Sequence, residues 1–434
     1  MRRALWLEII LKFGRQIIPR PIFRATQPIY HYLLAFLGSV IYRHPSRAIA
    51  VIFITGTKGK TTTSEVMNAI FEATGARTAL ANTIRIKIGD KSEPNKFKMT
   101  IQGRFFVQRF LRQAVEAHCR YAIIEMTSEG AKQFRHRFIE IDALIFTNLA
   151  PEHIESHGSY EKYLQAKLSI GRALARSRKP APTLIVNGDD RVAKHFLALP
   201  ISRIVVYRLR DASPYATTES GTNFTWRGKR IRTQLPGLFN LMNVLAGAVT
   251  ADHFGATRTA IRRAVEGVTL VRGRMERVEA KSFNSLWPDF TVIVDYAHTP
   301  DSLREVYQTF AERGQIAVLG GTGGGRDTWK RPVMGTIASE HCRLIILTNE
   351  DPYDENPEAI VNDIVRGIKR TPYKIIMDRR LAIREALHEA RAGEIVIITG
   401  KGTDPFIMGP KGTRIPWDDM AIVRDELKKL APKS

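Results

Sequence analysis

A chain of 434 residues is too long for one hydrophobic core, and its 44% hydrophobic and 25% charged residues predict two or three globular domains and exclude a disordered chain. Its two cysteines exclude a disulfide framework and a cysteine zinc site, which favours a reducing compartment, and we expect a cytoplasmic protein. The formal net charge of +23 predicts attraction to anionic nucleotides, phosphorylated precursors or an anionic membrane surface. Because no DNA- or RNA-binding motif accompanies this charge, no nucleic acid is expected as a partner.

Residues 1–49 form a basic amphipathic segment. The first fifty residues hold eight arginines and lysines against a single acid, Glu8. Neither apolar run within them reaches the ~20 residues of a spanning helix, and Pro19, Pro21 and Pro28 are expected to break the stretch into short amphipathic pieces. We expect helices that pack on the next domain, with peripheral contact at the inner membrane surface through residues 1–50 as the alternative.

From residue 50 onward, short β-branched runs alternate with helical periodicity, which predicts an α/β fold with a mostly parallel sheet. In a central domain over 50–271, strands are predicted at 50–55, 121–125, 143–148, 183–187 and 204–207. In a second, Rossmann-like α/β domain over 272–434, strands are predicted at 291–295, 316–319, 344–348 and 395–399. Most of these strands end in polar residues, so we expect two domains that face a shared cleft.

The sharpest local pattern is G-T-K-G-K-T-T-T at 56–63, between the first predicted strand and a helix predicted over 64–73. Its glycines let backbone N–H groups approach phosphate oxygens, and the helix N-terminus adds positive potential. Lys60 is expected to reach the outer phosphates and Thr61 to ligate magnesium. The predicted phosphate-binding residues are Gly56, Thr57, Lys58, Gly59, Lys60, Thr61 and Thr62.

This P-loop after a strand resembles that of the Mur ligase family, and further blocks of the family follow in order through nearly the whole chain from residue 50. These blocks are E-M-T-S at 125–128, F-T-N-L at 146–149 with E-H and H-G after it, N-G-D-D at 187–190, G-L-F-N-L-M-N at 237–243, G-R-M-E at 273–276, D-Y-A-H-T-P-D at 295–301 and R-D with K-R-P at 326–332. The G-R-M-E and D-Y-A-H-T-P blocks are most similar to the MurE branch, which adds the third amino acid. The resemblance implies a P-loop central domain followed by a Rossmann-like C-terminal domain that binds the amino acid.

The resemblance also implies an ATP-dependent amide-bond ligase that acts through an acyl phosphate in peptidoglycan synthesis. Its partners would be ATP, Mg²⁺, a UDP-muramyl-peptide donor and an amino acid, with the enzyme a monomer. Moving a phosphoryl group between two anions needs metal charge and fixed cations. By resemblance, the metal ligands are Thr61, Glu125, His153 and Lys167, the last as a carbamate. The implied catalytic residues are Lys60, His153, Lys167 and Arg274, and the implied nucleotide contacts beyond the P-loop are Asn240, Asn243, Arg274, Asp295 and His298.

The substrate residues implied by the resemblance are Thr127, Ser128, Arg326, Glu350, Asp351, Gly400 and Asp404. Arg326 would pair with the α-carboxylate of the amino acid. The chain departs from diaminopimelate-adding relatives at E-D-P-Y, residues 350–353, where they have D-N-P-R, and at G-K-G-T-D, residues 400–404, where they have G-K-G-H-E. The acids Glu350, Asp351, Asp354 and Asp404 would suit a side-chain amine, so lysine and diaminopimelate both stay open.

The front of the chain departs further, because fewer than sixty residues precede the P-loop. Relatives of this type carry an N-terminal UDP-binding domain of about a hundred residues, a common domain size. Residues 1–49 are therefore expected to replace that domain or, as the alternative, to bring the enzyme to a lipid-linked donor. Two other functions stay open: a folylpolyglutamate synthase-like ligase, and a non-catalytic, nucleotide-binding scaffold at the membrane.

Overall fold

The computed structural model describes residues 20–97, 99–101, 105–152 and 154–429. Its first element is helix α1 (Arg20–Ile41), which continues through both Pro21 and Pro28, so the predicted division into short pieces is wrong over this range. Pro19 and the rest of residues 1–19 lie outside the described residues. Pro21 lies in the first turn, where the missing N–H has no partner to lose, and Pro28 removes one hydrogen bond from a helix of 22 residues. Within the described ranges, no helix has both the length and the apolar character needed to cross a bilayer.

The central sheet has the strand order β4-β3-β2-β5-β1-β6-β7-β8. Its strands are β1 (Ala50–Thr55), β2 (Thr78–Ala81), β3 (Arg85–Ile88), β4 (Lys91–Pro94), β5 (Tyr121–Glu125), β6 (Ala143–Phe146), β7 (Thr183–Asn187) and β8 (Arg203–Tyr207). From β2 to β8 the neighbours are parallel, while β3 and β4 add an antiparallel edge. The sequence pattern missed β2, β3 and β4, because they are short and the two edge strands are largely polar.

Helices cover both faces of this sheet, as the alternating burial within β1 requires. Val51 and Phe53 pack into one apolar core, while Ile52 and Ile54 pack into the core on the opposite face. The helices of this region are α2 (Lys60–Ala73), α3 (Phe106–Glu116), α4 (Ser128–Lys132), α5 (Ile154–His157), α6 (Tyr160–Ala175), α7 (Ala193–Leu197), α8 (Leu238–His253) and α9 (Arg258–Gly267). A small antiparallel sheet follows β8, made of β9 (Tyr215–Thr218), β10 (Gly221–Trp226) and β11 (Lys229–Thr233).

The second sheet has the order β12-β13-β17-β14-β15-β16, with β13 to β16 parallel and β12 antiparallel at one edge. Its strands are β12 (Glu276–Glu279), β13 (Thr291–Val294), β14 (Gln315–Leu319), β15 (Leu344–Leu347), β16 (Tyr373–Ile375) and β17 (Ile395–Ile398), and a hairpin of β18 (Phe406–Met408) and β19 (Arg414–Pro416) follows. The accompanying helices are α10 (Pro300–Thr309), α11 (Lys330–His341), α12 (Pro357–Val365), α13 (Arg379–Glu389) and α14 (Asp419–Lys429). The predicted α/β fold with two mostly parallel sheets is confirmed.

Candidate active site

A cleft of about 1310 Å³, counted out to open solvent, lies between the two sheets. Residues after the carboxyl ends of strands line it, as α/β sheets lead one to expect. Its charged and polar lining includes Thr57, Lys58, Lys60, Thr61, Glu125, Thr127, Glu152, Asn240, Asn243, Arg274, Asp295, His298, Glu305, Arg326 and Asp404. Most of the predicted site residues therefore meet in one place, although they span more than three hundred positions of sequence.

The P-loop and the first turn of α2 form one wall of the cleft. Helix α2 begins at Lys60, four residues before the predicted start, because Gly59 takes a φ of +80° and turns the chain directly into the helix. A Cβ at Gly59 would lie 2.0 Å from the Asn243 Oδ1, so only glycine allows this approach. No side chain among the described residues caps this helix end, which leaves N–H groups of its first turn for an anion.

Lys60 extends along the loop that precedes it. Its Nζ donates to the carbonyl oxygens of Gly56 at 3.0 Å and Thr57 at 2.8 Å. Burial lowers the pKa of Lys60, and the nearby Glu125 carboxylate opposes that shift. The ammonium is thus fixed beside the helix end where phosphate oxygens would bind.

Glu125 ends β5 with a fully buried side chain. Its Oε2 accepts from the Thr83 hydroxyl at 2.9 Å, while its Oε1 is buried without a hydrogen-bond partner in the described part of the chain. Burial raises the pKa of Glu125, and Lys60 and the adjacent Thr61 hydroxyl oppose the shift. A buried carboxylate oxygen with no partner beside a hydroxyl fits a hard cation such as Mg²⁺. His153, the third predicted ligand, lies outside the described residues.

Lys167 lies in α6 with 1% of its surface exposed. Its Nζ donates to the Gly56 carbonyl oxygen at 2.7 Å and lies 4.7 Å from the centre of the Tyr163 ring. Burial, together with the charge of Lys60, lowers the pKa of Lys167 well below its usual value. A neutral amine is the form that can add carbon dioxide, so this environment fits the predicted carbamate.

The second domain brings Arg274 and Asp295 to the opposite wall. The Arg274 guanidinium lies 4.5 Å from the centre of the Tyr296 ring, and its Nη2 lies 3.5 Å from the Thr61 Oγ1 across the cleft. Asp295 accepts from the backbone N–H of Met275 at 2.8 Å and of Ala297 at 2.7 Å. Burial raises the pKa of Asp295, and Arg274 opposes that shift. Asp295 therefore fixes the turn that carries Arg274.

Further polar contacts join the two walls. The His298 Nε2 lies 2.9 Å from the Glu152 Oε1, and the Lys58 Nζ lies 3.6 Å from the Glu305 Oε2. Sequence reasoning missed Glu152 and Glu305 as site residues. Glu152 stands inside the block after F-T-N-L, which could have identified it, whereas Glu305 lies in an ordinary helical run with no such signal.

Four more of the residues predicted to contact a ligand line the cleft: Thr127, Asn240, Asn243 and Arg326. Asn240 and Asn243 are buried in α8, where the Asn240 Nδ2 donates to the Pro236 carbonyl oxygen at 2.7 Å. The Thr127 Oγ1 accepts from the backbone N–H of Gly130 at 3.0 Å and caps α4. Arg326 is exposed at the cleft, and the Tyr353 ring lies 5.7 Å away.

Other predicted substrate residues are engaged elsewhere. The lining of the cleft, within the described part of the chain, does not include Ser128, Glu350, Asp351 or Gly400. Ser128 lies 3.1 Å from the His157 Nε2, and Glu350 accepts from the Thr322 hydroxyl at 2.9 Å. A Cβ at Gly400 would lie 2.1 Å from the Glu350 Oε2, so this glycine packs directly against that carboxylate.

Asp351 and Asp404 share one buried cation. Both carboxylate oxygens of Asp351 lie 3.0 Å from the Lys401 Nζ, and Asp404 also lies 3.0 Å from that atom. Asp351 accepts the backbone N–H of Met408 at 2.8 Å as well. Of these two acids, only Asp404 lines the cleft. Asp351 is thus held by Lys401 and does not line the cleft, so this geometry does not support the prediction that Asp351 contacts a substrate amine.

Comparison with known proteins agrees with this architecture. Residues 54–251 match the family model of the Mur ligase middle domain, and residues 273–402 match that of the Mur ligase glutamate ligase domain. The chain is 36% identical over 440 aligned positions to the UDP-N-acetylmuramyl-tripeptide synthetase of Roseiflexus, covering 95% of this chain and 85% of that protein. It is 32% identical to the UDP-N-acetylmuramoyl-L-alanyl-D-glutamate--2,6-diaminopimelate ligase of Caldanaerobacter subterraneus, covering 91% and 81%.

Solved structures resemble the fold as well. A UDP-N-acetylmuramoyl-L-alanyl-D-glutamate--2,6-diaminopimelate ligase superposes with a TM-score of 0.57 at 27% identity, over 87% of this chain and 78% of that one. MurF from Acinetobacter baumannii gives 0.67 at 16% identity over 92% and 81%, and folylpolyglutamate synthase from Mycobacterium tuberculosis gives 0.65 at 17% over 85% and 92%. The last two show the fold alone. With both family domains matched and a relative 36% identical over most of its length, the chain belongs to the Mur ligase family.

Proposed function

We propose that this protein is an ATP-dependent ligase that activates a carboxylate as an acyl phosphate and joins it to an amino acid. The observation that carries the proposal is the shared cleft, in which Lys60 and the open end of α2 face the buried carboxylate of Glu125 and the guanidinium of Arg274. The named relatives add a diaminopimelate or a third residue to a UDP-muramyl peptide. The proposed donor is accordingly a UDP-N-acetylmuramoyl-dipeptide that ends in D-glutamate, a precursor of peptidoglycan.

The chemistry has two balanced steps. A donor carboxylate oxygen attacks the γ-phosphorus of ATP, ADP leaves, and an acyl phosphate forms. The amine nitrogen of the amino acid then attacks the acyl carbon, phosphate leaves with the former carboxylate oxygen, and the nitrogen loses a proton. Lys60 and the N–H groups of α2 would neutralise the phosphates, and Arg274 would approach them from the second domain.

Mg²⁺ is the proposed metal, held by Thr61 and Glu125 together with the carbamate of Lys167 and with His153. When bound, it would neutralise the phosphate charge and so allow an anionic carboxylate to approach. The buried Oε1 of Glu125, which has no partner among the described residues, supports this assignment. The burial of Lys167 against the P-loop supports the carbamate.

The cleft would hold both the nucleotide and the amino acid. Asn240, Asn243, Asp295 and His298 line the cleft next to the P-loop and are the proposed contacts or supports of ATP. The exposed guanidinium of Arg326 suits the α-carboxylate of the amino acid, since its planar fork binds a carboxylate with two hydrogen bonds. Lysine and diaminopimelate are the proposed acceptors, and Asp404, which lines the cleft, is the acid placed to meet a side-chain amine.

The proposed setting is the cytoplasm, with the enzyme a monomer.

A phosphate-release assay on the purified full chain tests the proposal. ATP and Mg²⁺ are combined with UDP-muramyl-dipeptide and each of a panel of amino acids, and a parallel arm combines a folate with glutamate. We expect release only when the muramyl donor is present together with lysine, diaminopimelate or a similar amino acid. Release with folate and glutamate alone would favour the folylpolyglutamate synthase function, and ATP binding without any turnover would favour the scaffold.

A further inference from the structure

Helix α1 exposes an apolar face along its whole second half. The residues of this face, called the apolar stripe, are Ile29, Tyr32, Leu33, Phe36, Leu37, Val40 and Ile41. Their spacing of three and four positions places them on one side of the helix, and each is between 42% and 64% exposed. Contiguous exposed apolar surface of this kind marks an interaction site, whereas single exposed apolar residues do not.

The opposite face of α1 holds the helix on the body of the protein. Leu34 and Ser39 are buried, and a Cβ at Gly38 would lie 2.7 Å from the Phe105 ring. The Arg112 guanidinium donates to the Tyr42 carbonyl oxygen at 2.7 Å, which fixes the end of the helix. Two members of the stripe also touch the body at its edge, since the Tyr32 ring packs edge to face on Phe134 and Phe138, and the Phe36 ring on Phe138. The rest of the stripe faces outward from a helix that is packed through its other side.

The segment that carries the stripe holds charges of a single sign. Residues 20–49 contain four arginines and no aspartate or glutamate, within a chain whose formal net charge is +23. Arg43 and Arg47, just beyond the helix, are exposed. An apolar face beside basic residues and without acids is the pattern of a helix that lies in the interface of an anionic bilayer.

We propose that the apolar stripe of α1 docks this protein on an anionic lipid surface. The stripe inserts its side chains among the acyl chains, and the neighbouring arginines bind lipid phosphates. A second copy fits less well, because pairing two stripes would bring two equally basic segments together. This docking does not depend on the ligase activity.

The position of α1 gives this docking a consequence for the cleft. Met99 lines the active-site cleft and also the hollow beneath α1, together with Gln27, His31 and Leu34. Met99 and Phe97 are themselves about half exposed, at 50% and 53%. A lipid-bound α1 therefore holds the mouth of the cleft close to the membrane surface.

Vesicle sedimentation of the full chain tests the proposal. Vesicles of phosphatidylcholine alone are compared with vesicles that also contain phosphatidylglycerol, at low and high salt. The stripe variant is Leu33→Glu with Val40→Glu, two exposed positions two helical turns apart. The matched control is Leu286→Glu with Ile415→Glu, which are 65% and 56% exposed elsewhere on the protein.

We expect the wild type and the control to sediment with phosphatidylglycerol vesicles and to be released by high salt. The stripe variant should partition at least tenfold less, with an unchanged thermal unfolding curve. Phosphate release measured without vesicles should be the same in all three proteins, so a wild type that binds vesicles but shows no ligase activity contradicts only the proposed function.

Three outcomes would overturn the docking proposal. The first is equal sedimentation of the stripe variant and the wild type. The second is a wild-type dimer that the stripe variant converts to a monomer, which would make the stripe a contact between copies. The third is a wild type that binds no vesicles and a stripe variant that unfolds at lower temperature, which would mean that the chain itself covers the stripe.

Discussion

On the central-domain wall of the cleft, the charged and polar groups come from the P-loop and a few adjacent strand ends, whereas on the C-terminal wall the charged groups come from four distant turns. Lys60, Thr61 and the helix end all follow from one stretch of chain, 56–63. Arg274, Asp295, Arg326 and Asp404 meet only when the second sheet is complete. Local sequence is therefore a better guide to the first wall than to the second.

Two acids of the opposing walls use their charges differently. Glu125 of the first wall has a buried oxygen with no hydrogen-bond partner in the described part of the chain. Asp351 gives both its oxygens to Lys401, so the second wall uses part of its charge to hold its own loops. An acid near a cleft thus identifies a ligand contact only when its other partners are known.

Lys60→Ala should have the largest effect, because it removes the fixed cation at the helix end of the first wall. Loss of one preorganised donor to developing charge lowers kcat by ~10²–10³-fold, and we expect a fall toward the upper end. Phosphate release under saturating substrates measures it. Lys162→Ala, an exposed lysine on α6, should keep full activity. A Lys60→Ala enzyme with near wild-type kcat would break the account of this wall.

Changing Lys167 should cost nearly as much, because a carbamate is an anion that neither alanine nor arginine can replace. We expect both Lys167→Ala and Lys167→Arg to lose about 10²-fold or more in kcat, as for other groups that stabilise charge in the reaction. Wild-type activity should fall when carbon dioxide and bicarbonate are removed and recover when they return. Activity restored by arginine, or insensitive to bicarbonate, would argue against the carbamate. Lys162→Ala again serves as the control.

Asp351→Asn tests whether this acid of the second wall stabilises the fold rather than contacting a substrate. It leaves the buried Lys401 with Asp404 as its remaining carboxylate, and breaking a buried pair costs about 3 kcal/mol of unfolding free energy. Urea unfolding measures this loss. Arg326→Ala is the matched change at an exposed position, and it should alter stability by less than about 0.5 kcal/mol while raising the KM for the amino acid. The reverse pattern, a stable Asp351→Asn protein with a raised KM, would make Asp351 a substrate contact.

His136 should have a smaller effect, a dependence of the unfolding free energy on pH. Burial lowers its pKa from 6.5 to about 3, so the unfolded chain takes up a proton between these values while the folded chain does not. Stability due to His136 is therefore complete above pH 6.5 and is lost as the pH falls, by about 2 kcal/mol at pH 5. Urea unfolding from pH 7 to pH 5 should show this slope, and His136→Leu should reduce it. An equal slope in both proteins would contradict the assignment.

Much of the fold was predictable from the sequence, because its buried parallel strands are short apolar runs. Three predicted strands match the structure at both ends: 50–55, 121–125 and 183–187. The predicted start of α2 is four residues too late. A left-handed glycine such as Gly59 also occurs within loops, so the sequence pattern does not mark the helix boundary here. The unbroken α1 could not be predicted from its prolines alone, because Leu34 and Gly38 pack the helix against the body of the protein and the sequence pattern does not show this packing.

A residue's position at the cleft could be predicted where it depends on its neighbours in sequence. The P-loop positions are of this kind. The roles of Glu350, Asp351 and Gly400 depend on partners that are distant in the chain, such as Thr322 and Lys401, and no pattern along the sequence reveals those pairings. Glu305 was missed for the same reason, since its partner Lys58 lies on the opposite wall, whereas the block after F-T-N-L could have identified Glu152.

Transfer of ¹⁸O tests the central claim most directly. The donor UDP-muramyl-dipeptide is labelled with ¹⁸O in the glutamate side-chain carboxylate and is incubated with the enzyme, ATP, Mg²⁺ and the amino acid that stimulates phosphate release. An acyl-phosphate route predicts that each phosphate released carries one oxygen from that carboxylate. Phosphate that forms with the product amide but contains only unlabelled oxygen would contradict it.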